Sequence, residues 1–150
     1  MRVGQAREVF ERWQVALLQE CRVARLGTIA PDGRPRLVPV CYAVSGGAMV
    51  VAVDEKPKRG GRLARLRDIA RDPRVTLLVD RYEDDWTRLA WLRIEGRAAV
   101  LERGAGHPAG LEALRARYSQ YGEMGLEALP LIVVTPERVV GWRWGGDAGT

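Results

Sequence analysis

Two β-branched, apolar runs, Val50–Val53 and Val75–Val79, frame the stretch that most limits what this chain can fold into. Each suits a buried strand. Between them Gly60-Gly61 marks a break, and Leu63, Leu66, Ile69 and Ala70 then recur at helical spacing. Asp72-Pro73 ends that helix, because the residue before a proline is pushed out of the α region. The unit reads strand, basic loop, short helix, proline stop, strand. On a helical wheel Arg62 and Arg65 border the buried face, whereas Arg67 and Arg71 point away from it. Lys56, Lys58, Arg62 and Arg65 can therefore converge beside a strand end and a helix N-terminus. Fixed cations together with free backbone N–H groups make a phosphate cradle. In this arginine-rich chain the only lysines, Lys56 and Lys58, both sit in that loop.

The rest of the chain supplies a β-rich frame for this unit. Val9, Phe10, Trp13, Ala16 and Leu17 share one face of an opening helix. Arg22–Ile29 and Arg36–Ala43 read as strands joined by Pro31-Asp32-Gly33, a turn with a preset φ, a side-chain acceptor and a residue free to take positive φ. Ser45-Gly46-Gly47 leads into a third strand, Ala48–Asp54. Arg88–Leu101 is a long strand with Ala90, Leu92 and Ile94 on one face and Leu89, Trp91, Arg93 and Glu95 on the other. Both faces are occupied, as at a barrel wall or a subunit contact. Gly104–Gly110 reads as a loop, and Leu111, Leu114, Tyr118 and Tyr121 as a second amphipathic helix. Leu131–Thr135 and Arg138–Trp144 close the chain as strands around Pro136. The fold expected is a mainly antiparallel β barrel with peripheral helices, in one domain over residues 1–150.

At 150 residues and 47% hydrophobic content the chain can bury a real core. Its net charge of +5 suits an anionic ligand and equally suits nucleic acid. Against nucleic acid, no aromatic platform interleaves with the basic loop, the nearest aromatics being Tyr42 and Tyr82. Cys21 and Cys41 lie in apolar runs, which predicts reduced, buried thiols. Two cysteines and one histidine do not make a zinc site of the usual kind. No run reaches the ~20 apolar residues a membrane helix needs, and a soluble, cytoplasmic protein is expected.

No Gly-x-Gly-x-x-Gly follows a strand, and Gly60-Gly61 is followed by Arg62 rather than by the Lys-Ser or Lys-Thr of a Walker loop. His107 stands beside Pro108 in a glycine-rich stretch, a poor place to fix a catalytic imidazole. Glu83-Asp84-Asp85 reads as a solvated turn rather than a cation site. Tyr42 is the one weak candidate for a general acid.

Three segments in this order carry a family likeness: LGTIAPDGRPRLVPVCY at Leu26–Tyr42, LRDIARDPRVTLLVD at Leu66–Asp80, and WLRIEGRA at Trp91–Ala98. Asp84-Asp85-Trp86 and the closing Val139–Trp142 add to it. The chain resembles the pyridoxamine-phosphate-oxidase-like flavin and deazaflavin split-barrel proteins. It looks most like the branch described as PPOX-class oxidoreductases dependent on coenzyme F420. The resemblance implies a split-barrel homodimer with two cofactor sites at the subunit interface, and hydride transfer between F420 and a small unsaturated acceptor. FMN is the alternative cofactor, and a non-catalytic flavin carrier the alternative role. Arg65 stands where these proteins carry a basic phosphate ligand, with Lys58 and Arg62 mapping more loosely. The backbone of Val38, Val40 and Cys41 would border the ring system, Val53 would close the third strand beside it, and Trp91 and Trp142 could complete the pocket from either subunit. The Arg/His phosphate motif of true pyridoxamine phosphate oxidases is missing from the C-terminal VVGWRWGG, which argues against that substrate.

Overall fold

A computed structural model describes residues 9–53, 63–122 and 124–146. Lys56, Lys58 and Arg62 lie outside the described residues. The elements are α1 (Arg12–Glu20), β1 (Ala24–Ile29), β2 (Pro35–Val40), β3 (Ala43–Ser45), β4 (Ala48–Ala52), α2 (Ala64–Arg71), β5 (Arg74–Arg81), β6 (Ala90–Leu101), α3 (His107–Arg117) and β7 (Leu131–Arg143). The strands form one antiparallel sheet in the order β2-β1-β5-β6-β7-β4-β3.

That order puts β2 and β3 at opposite edges, yet only Cys41 and Tyr42 separate them in the chain. So short a link forces the sheet to curl until its two edges come together. The result is a half-barrel with a split, rather than the closed barrel of an unbroken hydrogen-bond ladder.

Strand parity agrees with the alternation in the sequence. Leu26, Leu77, Val79, Leu92 and Ile94 face inward and are fully buried, under Phe10, Leu17 and Leu18 at the α1 end and Leu66 and Ile69 of α2. The unbroken apolar run of β4 has its own cause. Met49, Val51 and Val53 belong to this main core, while Val50 and Ala52 pack with Leu111, Leu114, Tyr118 and Tyr121 in a second one. β4 is a wall between two cores and must be apolar on both sides.

Several sequence expectations shift. The single strand expected over Arg36–Ala43 breaks at Cys41-Tyr42, where the chain changes sheet edge. The two closing strands are one strand, β7, bulged at Pro136-Glu137. Glu95 pairs with Arg138 and Gly96 with Pro136, so Glu137 is the extra residue. A bulge is where a sheet tolerates a proline that cannot donate to the ladder. The expected loop Gly104–Gly110 is half helix: α3 starts at His107, with Pro108 in its first turn and Gly106 ahead of it at φ 91°. In α1, Gln14 and Leu18 are buried in place of Val9 and Ala16. In the Pro31-Asp32-Gly33 turn, Asp32 accepts the Arg34 N–H at 3.1 Å and Gly33 takes φ 86°, as the turn chemistry requires.

The cysteines are free and half-buried rather than fully buried. Cys21 Sγ lies 3.3 Å from the Asp80 carbonyl, and burial, reinforced by Glu20 and Asp80, pushes its thiol up. No helix among the described residues is long and apolar enough to cross a membrane.

Candidate functional site

At the split, where β2 gives way to the Cys41-Tyr42 link, lies a cavity of about 220 Å³. Val23, Pro39, Val40, Cys41, Ala52, Arg65 and Tyr121 line it. Each main element brings one part. The end of β2 supplies Pro39 and Val40, the link after it Cys41, the end of β4 Ala52, α2 Arg65, and the turn after α3 Tyr121. Its side chains are mostly apolar, with one aromatic, Tyr121, and a single half-buried guanidinium set among them. That combination suits a ligand with a flat apolar body and an anionic group: apolar walls hold the body, and Arg is the side chain best shaped for a phosphate.

The link that borders the cavity is firmly held. Tyr42 is fully buried, and its hydroxyl contacts the Leu18 carbonyl at 2.7 Å and the Cys21 carbonyl at 2.5 Å. The Arg117 guanidinium stacks on the Tyr42 ring at 4.9 Å and on the Tyr118 ring at 5.5 Å. It also donates to Leu18 O at 2.8 Å and to Cys21 O. These are the carbonyls that the end of α1 leaves without helical partners. Tyr118 Oη accepts from the Tyr42 N–H at 3.1 Å and lies 2.8 Å from the Tyr42 carbonyl. The link is thus pinned to the end of α1 and to α3. Burial holds the Tyr42 phenol well above its usual range, with Arg117 opposing. Tyr42 is a structural latch in the core, and the general-acid reading of it does not stand.

Of the residues singled out from the sequence, Val40, Cys41 and Arg65 come together around this cavity. Val38 packs against the main core and Val53 is buried within it, one residue beyond Ala52. Trp91 and Trp142 face each other across β6 and β7. Their parity is opposite to that of the buried Ala90, Leu92 and Ile94, so they stand on the outer face of the sheet and do not line the cavity. Tyr121, Val23 and Ala52 were not foreseen there. Tyr121 sits in an amphipathic register that signals only packing, and it makes an edge-on contact with Tyr118 at 5.5 Å.

The helix that carries Arg65 departs from the wheel in two places. Ala70 is exposed, and Asp68 takes a buried position at 1% exposure. Arg71 turns back onto Asp68 at 3.2 Å and donates to Ile29 O, instead of pointing away. Arg67 is exposed, as expected.

His107 is better fixed than its sequence context suggests. It is buried, and its Nε2 lies 2.9 Å from the Leu129 carbonyl, tying α3 to the loop before β7. In the acidic turn, Glu83 pairs with Arg88 at 2.5 Å and Asp85 caps a helical turn by accepting the Thr87 N–H at 3.1 Å.

Over residues 10–143 the sequence matches the pyridoxamine 5'-phosphate oxidase family. The chain belongs to that family. Solved structures show the same fold. The conserved hypothetical protein Rv2991 from Mycobacterium tuberculosis superposes with a TM-score of 0.73 at 22% identity, over 90% of this chain and 86% of that one. A FAD-binding protein from Mesorhizobium loti gives 0.64 at 23% identity, over 85% and 87%. HutZ, the heme storage protein from Vibrio cholerae, gives 0.68 at 15% identity, over 90% and 94%. Membership explains the architecture: this is the split-barrel fold of the pyridoxamine 5'-phosphate oxidase family, with a curled sheet and, among the described residues, three α-helices.

Proposed function

We propose that this member of the pyridoxamine 5'-phosphate oxidase family is an oxidoreductase that uses the deazaflavin F420 to move a hydride to or from a small unsaturated acceptor. The observation that carries a flavin-type ligand is the cavity at the split, where Arg65 stands among Val40, Cys41, Ala52 and Tyr121. Arg65 would hold the cofactor's phosphate, and the apolar wall would exclude water from its ring. When bound, the cofactor supplies the redox chemistry, and the protein supplies orientation and electrostatics. The deazaflavin assignment rests on the sequence likeness to that branch.

FMN is the second reading, favoured by the family match itself. Heme, the ligand named for two structural neighbours, would find no histidine at the cavity. The chain has one histidine; its buried ring contacts Leu129 O, and it is not among the residues that line the cavity. Of the cavity's side chains only Cys41 or Tyr121 could hold heme iron, in place of the usual imidazole.

Titration of the purified protein with F420 and with FMN, read by fluorescence, tests the assignment. F420 is expected to bind more tightly; equal or tighter FMN binding removes the deazaflavin reading.

A second copy of the chain is the expected partner. The outer face of β5–β7 presents Leu78, Trp91, Val140 and Trp142, all partly exposed, with Arg93 over the Trp91 ring at 5.8 Å. We expect a homodimer burying on the order of 2,000 Å² or more in total. Light scattering at micromolar concentration should return twice the chain mass; a single-chain mass would contradict it.

A further inference from the structure

We infer that Asp68 is a positioning residue for the cavity: its buried carboxylate sets the rotation of α2 and thereby where Arg65 points. The inference rests on the reading of that cavity as a phosphate-bearing cofactor site. α2 has only eight residues and no side-chain hydrogen bond at its N-cap. Leu66 and Ile69 bury its apolar face, but apolar contact is non-directional and leaves a short helix free to roll or slide. Directional bonds have to fix it, and Asp68 supplies them. Its Oδ2 accepts from Thr28 Oγ1 on β1 at 2.8 Å and from Arg36 Nε on β2 at 2.8 Å. Its Oδ1 accepts from Arg71 on the same helix at 3.2 Å, and Arg71 also reaches Ile29 O at the end of β1.

Both strands of the β1–β2 hairpin are therefore tied to one carboxylate on α2. β2 runs on directly from Arg36 to Pro39 and Val40 at the cavity. Arg65 stands one turn before Asp68, three residues away and on a neighbouring face. The same carboxylate thus ties the helix that carries the cation to the strand that forms the cavity wall. The carboxylate is buried while Arg36 and Arg71 are partly exposed, so removing its charge frees both guanidinium groups to turn to water and loosens the tie.

The test compares FMN with riboflavin, which has the same ring system and no phosphate, by fluorescence titration. Wild type, Arg65→Ala, Asp68→Asn and the double variant are titrated with each. If Asp68 acts through Arg65, Asp68→Asn weakens FMN about five- to tenfold and riboflavin less than twofold. In the Arg65→Ala background the added loss disappears. A purely structural role would weaken both ligands alike, or act in full on top of Arg65→Ala, and either result overturns the inference. Should Asp68→Asn not fold, Arg36→Gln decides. That side chain is partly exposed, and its loss should still weaken FMN two- to threefold while sparing riboflavin; no selective loss refutes the inference. If wild type binds FMN and Arg65→Ala weakens it while Asp68→Asn does not, only the positioning role fails. If Arg65→Ala has no effect on either FMN or F420, or wild type binds none of FMN, F420 and riboflavin, the cavity reading itself fails and takes this inference with it.

Discussion

Gly96→Ala should lower stability by about 3 kcal/mol or more, a shift of roughly 6–12 °C in Tm for a chain of this size. A Cβ at this position would stand 2.2 Å from the Thr135 carbonyl oxygen and 3.0 Å from its carbon. Those are backbone atoms of the bulged segment of β7 and cannot swing aside as a side chain could. The two strands would have to part at this point of close approach. The loss is a large share of the 5–15 kcal/mol typical of a folded domain. Gly125→Ala is the matched control, because a Cβ there meets nothing within 4 Å and φ is −76°; it should stay within about 0.5 kcal/mol. Thermal melts followed by circular dichroism compare the two. Equal midpoints would mean that the bulge adapts and that the close approach is not a constraint.

Arg65→Ala is the substitution expected to damage binding most. A charge-assisted Arg–phosphate contact contributes about 1.5–3 kcal/mol, so cofactor affinity should fall roughly ten- to a hundredfold. Arg67 lies on the same helix but is exposed, and Arg67→Ala should change affinity less than about twofold. Neither substitution removes a core side chain, so both variants should melt near wild type. An Arg65→Ala protein that titrates like wild type, or an Arg67→Ala protein that loses as much, would put the phosphate elsewhere.

What the sequence made legible follows from what is periodic or local. The alternation of Ala90, Leu92 and Ile94 named the inner face of β6, and the double-sided apolarity of Val50–Val53 announced a buried strand. The Asp-Gly turn, the Asp72-Pro73 helix stop and the exposure of Arg67 are local signals and were read directly. Asp68 was missed because its partners Thr28 and Arg36 lie on two other elements, β1 and β2, and a charged residue between arginines looks like solvated surface. Tyr42 was misread because its meaning depends on the Leu18 and Cys21 carbonyls and on Arg117, brought together only by the fold. The break of Arg36–Ala43 into two strands was invisible for the same reason: every residue there suits a strand, and only the return to the far sheet edge interrupts it. Trp91 and Trp142 could be placed on one face of their strands, but which face meets a partner is a property of the assembly.

The two-residue link at Cys41-Tyr42 also acts as a tether. From Val40 to Ala43 the chain takes three Cα–Cα steps, which reach at most about 11 Å when fully drawn out. However the sheet flexes, its edges at that end cannot part further without breaking strand pairing or tearing Tyr42 from the carbonyls that hold it. A molecule lodged at the split therefore cannot come and go by a spreading of the sheet at this end. Its exchange depends on the elements outside the tether, α2, which Asp68 holds to β1 and β2, and the turn with Tyr121, so residence time there should be governed by how far those two pieces yield rather than by the breathing of the strands.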